Sequence, residues 1–134
     1  MPKKMLTYVD ANVLINAMRG EDPIRKARSL AVLWDKKREF VATEFLRLET
    51  LPSALHYQKT KQIIFLEKFF KNVSVWIDAG PLFQPAFDLM VRYDLGLVDA
   101  CHLTAAIACK ADFISVEQPT KPMFAAYSKA YSIY

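Results

Sequence analysis

Long apolar runs are missing from this sequence. None approaches the roughly 20 residues that a membrane-spanning helix needs, although 53% of the 134 residues are apolar. Paired metal thiols are missing too. The only cysteines, Cys101 and Cys109, show no Cys-x-x-Cys or Cys/His spacing, which excludes a zinc finger. On one helix they would lie roughly 12 Å apart, too far for a disulfide. Two reduced thiols suit a cytosolic protein. Glycine numbers only three, and no Gly/Ser/Pro-rich linker, repeat or low-complexity tract marks a boundary. A single domain spanning 1–134 is expected.

The N-terminal stretch "MPKKMLTYVDANVLI" sets lysines before apolar residues, as a signal peptide does. Asp10, Asn12 and Asn16 interrupt it, and no small-residue cleavage site follows. The expectation is a soluble, cytoplasmic chain with no membrane partner. Basic residues number 18 against 14 acidic. That excess is compatible with a polyanionic partner and does not require one.

What is there is an alternation of strand and helix patterns. "MLTYV" reads as a short buried strand. "NVLINAMRG" reads as a helix ending at Gly20, and "DPIRKARSLAVLWDKKRE" opens with Asp22 as N-cap and Pro23 at the first helical position. "FVAT" is the next strand, followed by a helix in "EFLRLETLPSALHYQ" that Pro52 kinks or restarts. "TKQIIFLEKFFKN" is an amphipathic helix and "VSVWI" a third strand. "GPLFQPAFDLMVRYDLG" reads as a helix with Pro81 near its start and Gly96 at its end. "LVDACHLTAAIACKA" is apolar almost all round, the mark of a helix buried on most sides. "DFISV" is a fourth strand, and the tail adds a short helix and an edge strand. The order implies an α/β fold whose largely parallel sheet is covered on both faces. In such sheets ligands sit beyond the carboxyl ends of the strands.

Acids cluster in the sequence where those ends fall. Asp10 directly follows the first strand, where it either caps the next helix or binds something. Glu44, in a first helical turn, reads as a solvated residue paired with Arg47. Glu49 falls within the stripe Phe45, Leu48, Pro52, Leu55, so it either finds a partner or reaches out to solvent. Asp99 opens the apolar helix, as a cap or as a core-facing carboxylate. His102, three residues on, reads as a satisfied helix histidine rather than a ligand. Glu117 follows the fourth strand, two residues after Ser115, and Asp78 after the third strand reads as a turn or cap residue. A parallel sheet brings Asp10, the Thr43–Glu49 segment and Ser115–Glu117 to one edge, with Asp99 beside them. Four carboxylates there repel one another, and a hard divalent cation such as Mg²⁺ or Mn²⁺ compensates them. An ion so held lowers the pKa of bound water and stabilises an in-line phosphoryl displacement.

With those pieces in order, the chain resembles a PIN-domain protein, similar to the small ribonuclease toxins of VapBC-type toxin–antitoxin pairs. "YVDANVLI" matches the opening strand, acid, and Asn or Thr two residues on. "TEFLRLE" matches a Ser or Thr followed six residues later by Glu, which selects Glu49 over Glu44. "LVDACHLTAAIACKADFISVE" matches Asp-Ala-x-His-x-x-x-Ala followed by Ala-Asp, a strand, and Thr or Ser-x-acid. One position departs from the pattern: Glu117 stands where Asp is usual, with a longer arm. The resemblance implies a three-layer α/β/α fold with a mostly parallel sheet of four to five strands. It also implies a Mg²⁺- or Mn²⁺-dependent endoribonuclease whose metal-binding and catalytic acids are Asp10, Glu49, Asp99 and Glu117. Asn12 and Ser115 are then the polar groups that orient them. RNA is the expected substrate, and a small antitoxin or a second copy of the chain an expected protein partner. "RKAR", "DKKRE" and Lys121 are candidate phosphate contacts, or simply solvated helix faces. Two competing readings are a PIN-like module that binds without cutting and a phospho-acceptor domain using Asp10 and Asp78. Against the last, Asp10 has Val9 and Ala11 as neighbours rather than a second acid.

Overall fold

In the computed structural model, which describes residues 3–134, the first buried strand is β1 (Met5–Val9). Met1 and Pro2, part of the domain expected over 1–134, lie outside the described residues. The chain continues through α1 (Ala11–Arg19), α2 (Pro23–Leu33), β2 (Arg38–Ala42), α3 (Glu44–His56) and α4 (Thr60–Lys71). Then come β3 (Val75–Trp76), a 3₁₀ turn (Gly80–Leu82), α5 (Phe83–Tyr93) and α6 (Leu97–Ala108). It closes with β4 (Asp112–Ser115), α7 (Met123–Ala126) and β5 (Ala130–Ser132).

The five strands form one sheet in the order β3-β2-β1-β4-β5, and each adjacent pair is parallel. Parallel neighbours need crossovers, and crossovers are right-handed. Moving outward from β1 to β3 and then back across to β4 therefore puts helices on both faces. The result is the three-layer α/β/α arrangement, with the strand order reversing between β1 and β4. That reversal leaves a crevice at the carboxyl ends, where such folds bind ligands.

Tyr8 and Val9 of β1, Leu46 of α3, Leu103 of α6 and Phe113 of β4 are all fully buried. Residues Ala100 to Ala106 of α6 are buried in an unbroken run, as the all-round apolar pattern predicts. The signals at α2 also hold. Asp22 Oδ1 accepts from the Ile24 N–H at 2.9 Å, and Pro23 follows at the first helical position. Both cysteines are free thiols.

Three boundaries differ from the sequence pattern, and at Pro52 the expected restart is not seen. The second helix stops at Leu33, because Asp35 Oδ1 takes the Lys37 N–H at 2.9 Å and turns the chain into β2. Pro52 does not restart α3, which runs through it; the proline is exposed and its fixed φ suits a helix. Gly96 is the N-cap of α6 rather than the end of α5, which Asp94 closes in the left-handed region at φ 55°. The third strand shrinks to two exposed residues on the sheet edge. No helix among the described residues is long and apolar enough to cross a membrane.

Candidate metal centre

Asp10 stands at the N-cap position of α1, and its backbone carbonyl accepts from the Val13 N–H at 3.0 Å. Its side chain makes no cap bond. The carboxylate is 6% exposed and takes a hydrogen bond from Ser115 Oγ at 3.0 Å. The helix is thus started by the backbone, and the carboxylate is left for something else. Burial pushes the Asp10 pKa from 3.8 to about 6, and the nearby charges of Asp99 and Glu49 add to the rise. His102 and the Ser115 hydrogen bond act in the opposite direction.

The other acids arrive from three further elements. Glu49 lies in the second turn of α3, a third exposed, with its carboxylate on Nε2 of His102. Its partner is therefore histidine, and the stripe around it is not the buried face. The core side of α3 is Leu46, Thr50, Leu51 and Ala54, while Leu48 and Leu55 stay exposed. Asp99 sits in the first turn of α6 without capping it. Burial raises its pKa, as does repulsion from Glu117 and Glu49; His102 and Lys121 pull it down. Glu117 follows β4, and its N–H donates to Ser115 Oγ at 3.1 Å. Four carboxylates from four parts of the chain therefore feel one another's charge at one end of the sheet.

Asn12 and Ser115 lock that end. Asn12 Nδ2 donates to Ser115 Oγ at 3.1 Å, and the Val116 N–H donates to Asn12 Oδ1 at 3.1 Å. The backbone after β4 is thereby tied to α1, and the Ser115 hydroxyl is aimed at Asp10. From the tail, Ser132 Oγ donates to the Glu117 carbonyl at 2.5 Å.

The sequence pattern missed one group of residues. Tyr8 is fully buried, and its hydroxyl lies 2.5 Å from His102 Nδ1 and 2.9 Å from Thr43 Oγ1. Burial pushes the phenol's pKa well above its ordinary value. Tyr8 and His102 stand 94 residues apart in the chain, and no local signal links them. His102 is indeed a satisfied helix histidine, but the group that satisfies it on one side is Glu49.

Asp10, Glu49 and His102 each offer a ligand atom, and these atoms lie within 4.8 Å of one another. Among the described residues, no lysine or arginine makes a salt bridge to Asp10, Glu49, Asp99 or Glu117. Clustered ligand atoms that no lysine or arginine among the described residues bridges fit a divalent metal ion. Beside Glu49 an apolar groove of about 250 Å³ opens between Phe45, Leu48, Phe83, Leu97 and Val98. Asp78 lies outside the cluster; its Oδ1 takes the Gly80 N–H at 3.2 Å, the turn role.

Of the candidate phosphate contacts, most are engaged elsewhere. Arg25 pairs with Asp22 and stacks on the Tyr134 ring, and Arg28 bonds the Tyr134 carbonyl. Residues 35–39 enter β2 at its amino end, opposite the acids. Lys121 alone of these lies close enough for its charge to act on Asp99.

A family profile described as PIN domain matches residues 7–118. No curated protein sequence matches the chain. Among solved structures, a toxin–antitoxin complex from Klebsiella pneumoniae aligns with a TM-score of 0.71 at 19% identity, over 96% of this chain and 98% of that one. VapBC2 from Rickettsia felis, bound to a promoter DNA fragment, aligns at 0.68 with 12% identity, over 96% and 98%. VapC20 from Mycobacterium tuberculosis, a sarcin–ricin-loop-cleaving toxin, aligns at 0.68 with 13% identity, over 90% and 95%. At these identities the likeness is one of fold.

Proposed function

Since this chain belongs to the PIN-domain family, we propose that it is a Mg²⁺- or Mn²⁺-dependent endoribonuclease. Its acting residues in this reading are Asp10, Glu49, Asp99 and Glu117. One observation carries the reading: Asp10 occupies a helix-cap position, yet its nearly buried carboxylate makes no cap bond and lies among Glu49 and Asp99, with no arginine or lysine salt bridge to them among the described residues. A structural aspartate does the reverse.

In this reading Asp10, Glu49 and Asp99 would hold the ion, with Glu117 as the fourth acid. An ion held there would supply an activated water and neutralise charge on the scissile phosphate. The chain's own residues do the rest. Ser115 holds Oδ2 of Asp10 in place, and Asn12 holds Ser115. One of these carboxylates would accept the proton of the attacking water. Lys121, exposed beside Asp99, is placed to bind a neighbouring phosphate.

A toxin role within a toxin–antitoxin pair is the finer form of this proposal. The apolar groove beside Glu49 supports it, because an antitoxin segment filling that groove covers Glu49 as well. One of the similar folds is described as a toxin–antitoxin complex and another as a toxin.

The test is cleavage of a panel containing unstructured RNA and transfer RNA, with Mn²⁺ or Mg²⁺. Asp10→Asn and Asp99→Asn variants and an EDTA control run in parallel. Cutting by the wild type alone is the expected result. Equal behaviour of wild type and variants would sink the proposal and leave a binding module, with Glu117 the first suspect for lost chemistry.

A further inference from the structure

Glu49 is held from an unexpected direction. Its carboxylate meets Nε2 of His102, a residue with no solvent exposure. His102 Nδ1 meets the Tyr8 hydroxyl at 2.5 Å, and that hydroxyl meets Thr43 Oγ1 at 2.9 Å. Both ring nitrogens of His102 and the hydroxyls of Tyr8 and Thr43 each have a partner in this row.

The direction of the row follows from donor chemistry. An ionised carboxylate only accepts, so the proton on Nε2 points at Glu49. With Nε2–H as the ring's one proton, Nδ1 presents a lone pair to the Tyr8 O–H, and the Thr43 O–H then donates to the phenol oxygen. Both His102 nitrogens already have partners, Nε2 the Glu49 carboxylate and Nδ1 the Tyr8 hydroxyl. The row also begins and ends on one helix. Thr43 is the N-cap of α3 without capping it, and Glu49 lies six residues on. That is about 9 Å along the helix axis. In between, Tyr8 sits on the central strand, its ring 6.1 Å from Phe113 and 5.3 Å from His102.

We propose that His102, fixed by Tyr8 and Thr43, is the positioning residue that holds Glu49 toward Asp10 for metal binding. The inference rests on the metal-site reading above and adds its supporting layer. Metal-binding histidines usually lean on a carboxylate. Here the roles are exchanged, with the carboxylate for the ion and the imidazole behind it. A hydrogen-bonded carboxylate loses little freedom when the ion arrives, which raises affinity.

The experiment is Mn²⁺ titration by calorimetry of the full chain, with melting temperature recorded for each variant. His102→Leu should weaken Mn²⁺ binding by roughly 10- to 100-fold, the usual cost of losing such a support. His102→Gln places an amide donor near the former Nε2 and should recover most of the loss. Tyr8→Phe, which changes one atom, should cost a smaller factor and keeps the test open if His102→Leu does not fold. Wild-type affinity in folded Tyr8→Phe and His102→Leu overturns the proposal. A metal-free measurement separates it from the nuclease reading: ¹⁵N spectra of the imidazole should show one Nε2–H tautomer. If wild type binds no Mn²⁺, the nuclease reading fails. Those spectra then decide the positioning proposal, an Nδ1–H or exchanging ring overturning it and a fixed Nε2–H supporting it.

Discussion

The two ends of the sheet handle their acids in opposite ways. At the amino end, Arg38 of β2 donates to Asp112 Oδ2 of β4 at 3.2 Å and to Thr7 Oγ1 of β1 at 2.9 Å. It also lies 3.5 Å from Asp35. One guanidinium neutralises two carboxylates and stitches three strands. At the carboxyl end, Asp10, Glu49, Asp99 and Glu117 crowd together with His102 and no arginine or lysine salt bridge among the described residues. A chain able to neutralise one end of its sheet leaves the other charged. Repulsion there opposes folding, and relief on binding a cation is the physical reason to retain it.

Breaking the acid cluster gives the largest expected effect. Asp10→Asn should cut RNA cleavage by about 10²- to 10³-fold, the scale for losing one preorganised electrostatic group. The same change should raise metal-free stability at neutral pH by on the order of 1 kcal/mol, since a buried like charge is removed. Cleavage rates and urea unfolding on one preparation check both. A variant that loses both activity and stability would mean that Asp10 is structural.

The amino end should respond the other way round. Arg38→Ala leaves Asp112 and Asp35 without their cation and should lower stability by about 2 kcal/mol, below the figure for a fully buried pair. Specific cleavage by the folded fraction should stay within about two-fold of wild type, because Arg38 lies at the far end of the sheet.

Acidity sharpens the contrast. The raised Asp10 pKa means that the fold prefers the protonated acid, so this contribution is fully present below pH 3.8. It is lost as pH rises through about 6. Melting temperature of the metal-free chain should therefore carry a falling component across that interval. Mn²⁺ should restore it above pH 6, and Asp10→Asn should flatten it. A profile of identical shape in wild type and Asp10→Asn would contradict the assignment.

The smallest effect belongs to Glu117. Its backbone is already held by Ser115 and Ser132, so Glu117→Asp shortens only the arm. Cleavage should rise by a few-fold at most, and a fall below about a tenth of wild type would show that the longer side chain is required.

The fold was legible because its signals are local. Asp22 and Pro23 start α2 by capping, and the apolar run of α6 announces its own burial. The acids after β1 and β4 are adjacent in sequence to the strands that place them. Gly96 misled because a neighbour decided its outcome: the left-handed Asp94 closes α5 first.

By itself, then, the sequence determined the alternating elements, the parallel sheet and the convergence of the acids on one edge, all consequences of short-range geometry and periodicity. Only the tertiary structure decided which way the side chains turned there. It set Asp10 against Ser115 instead of its own helix, and Glu49 against His102. At the other end it gave one arginine to two carboxylates. Those choices join residues 105, 53 and 74 positions apart. A hydrogen bond needs its partners within a few tenths of an ångström, and over such separations only the packed fold supplies that.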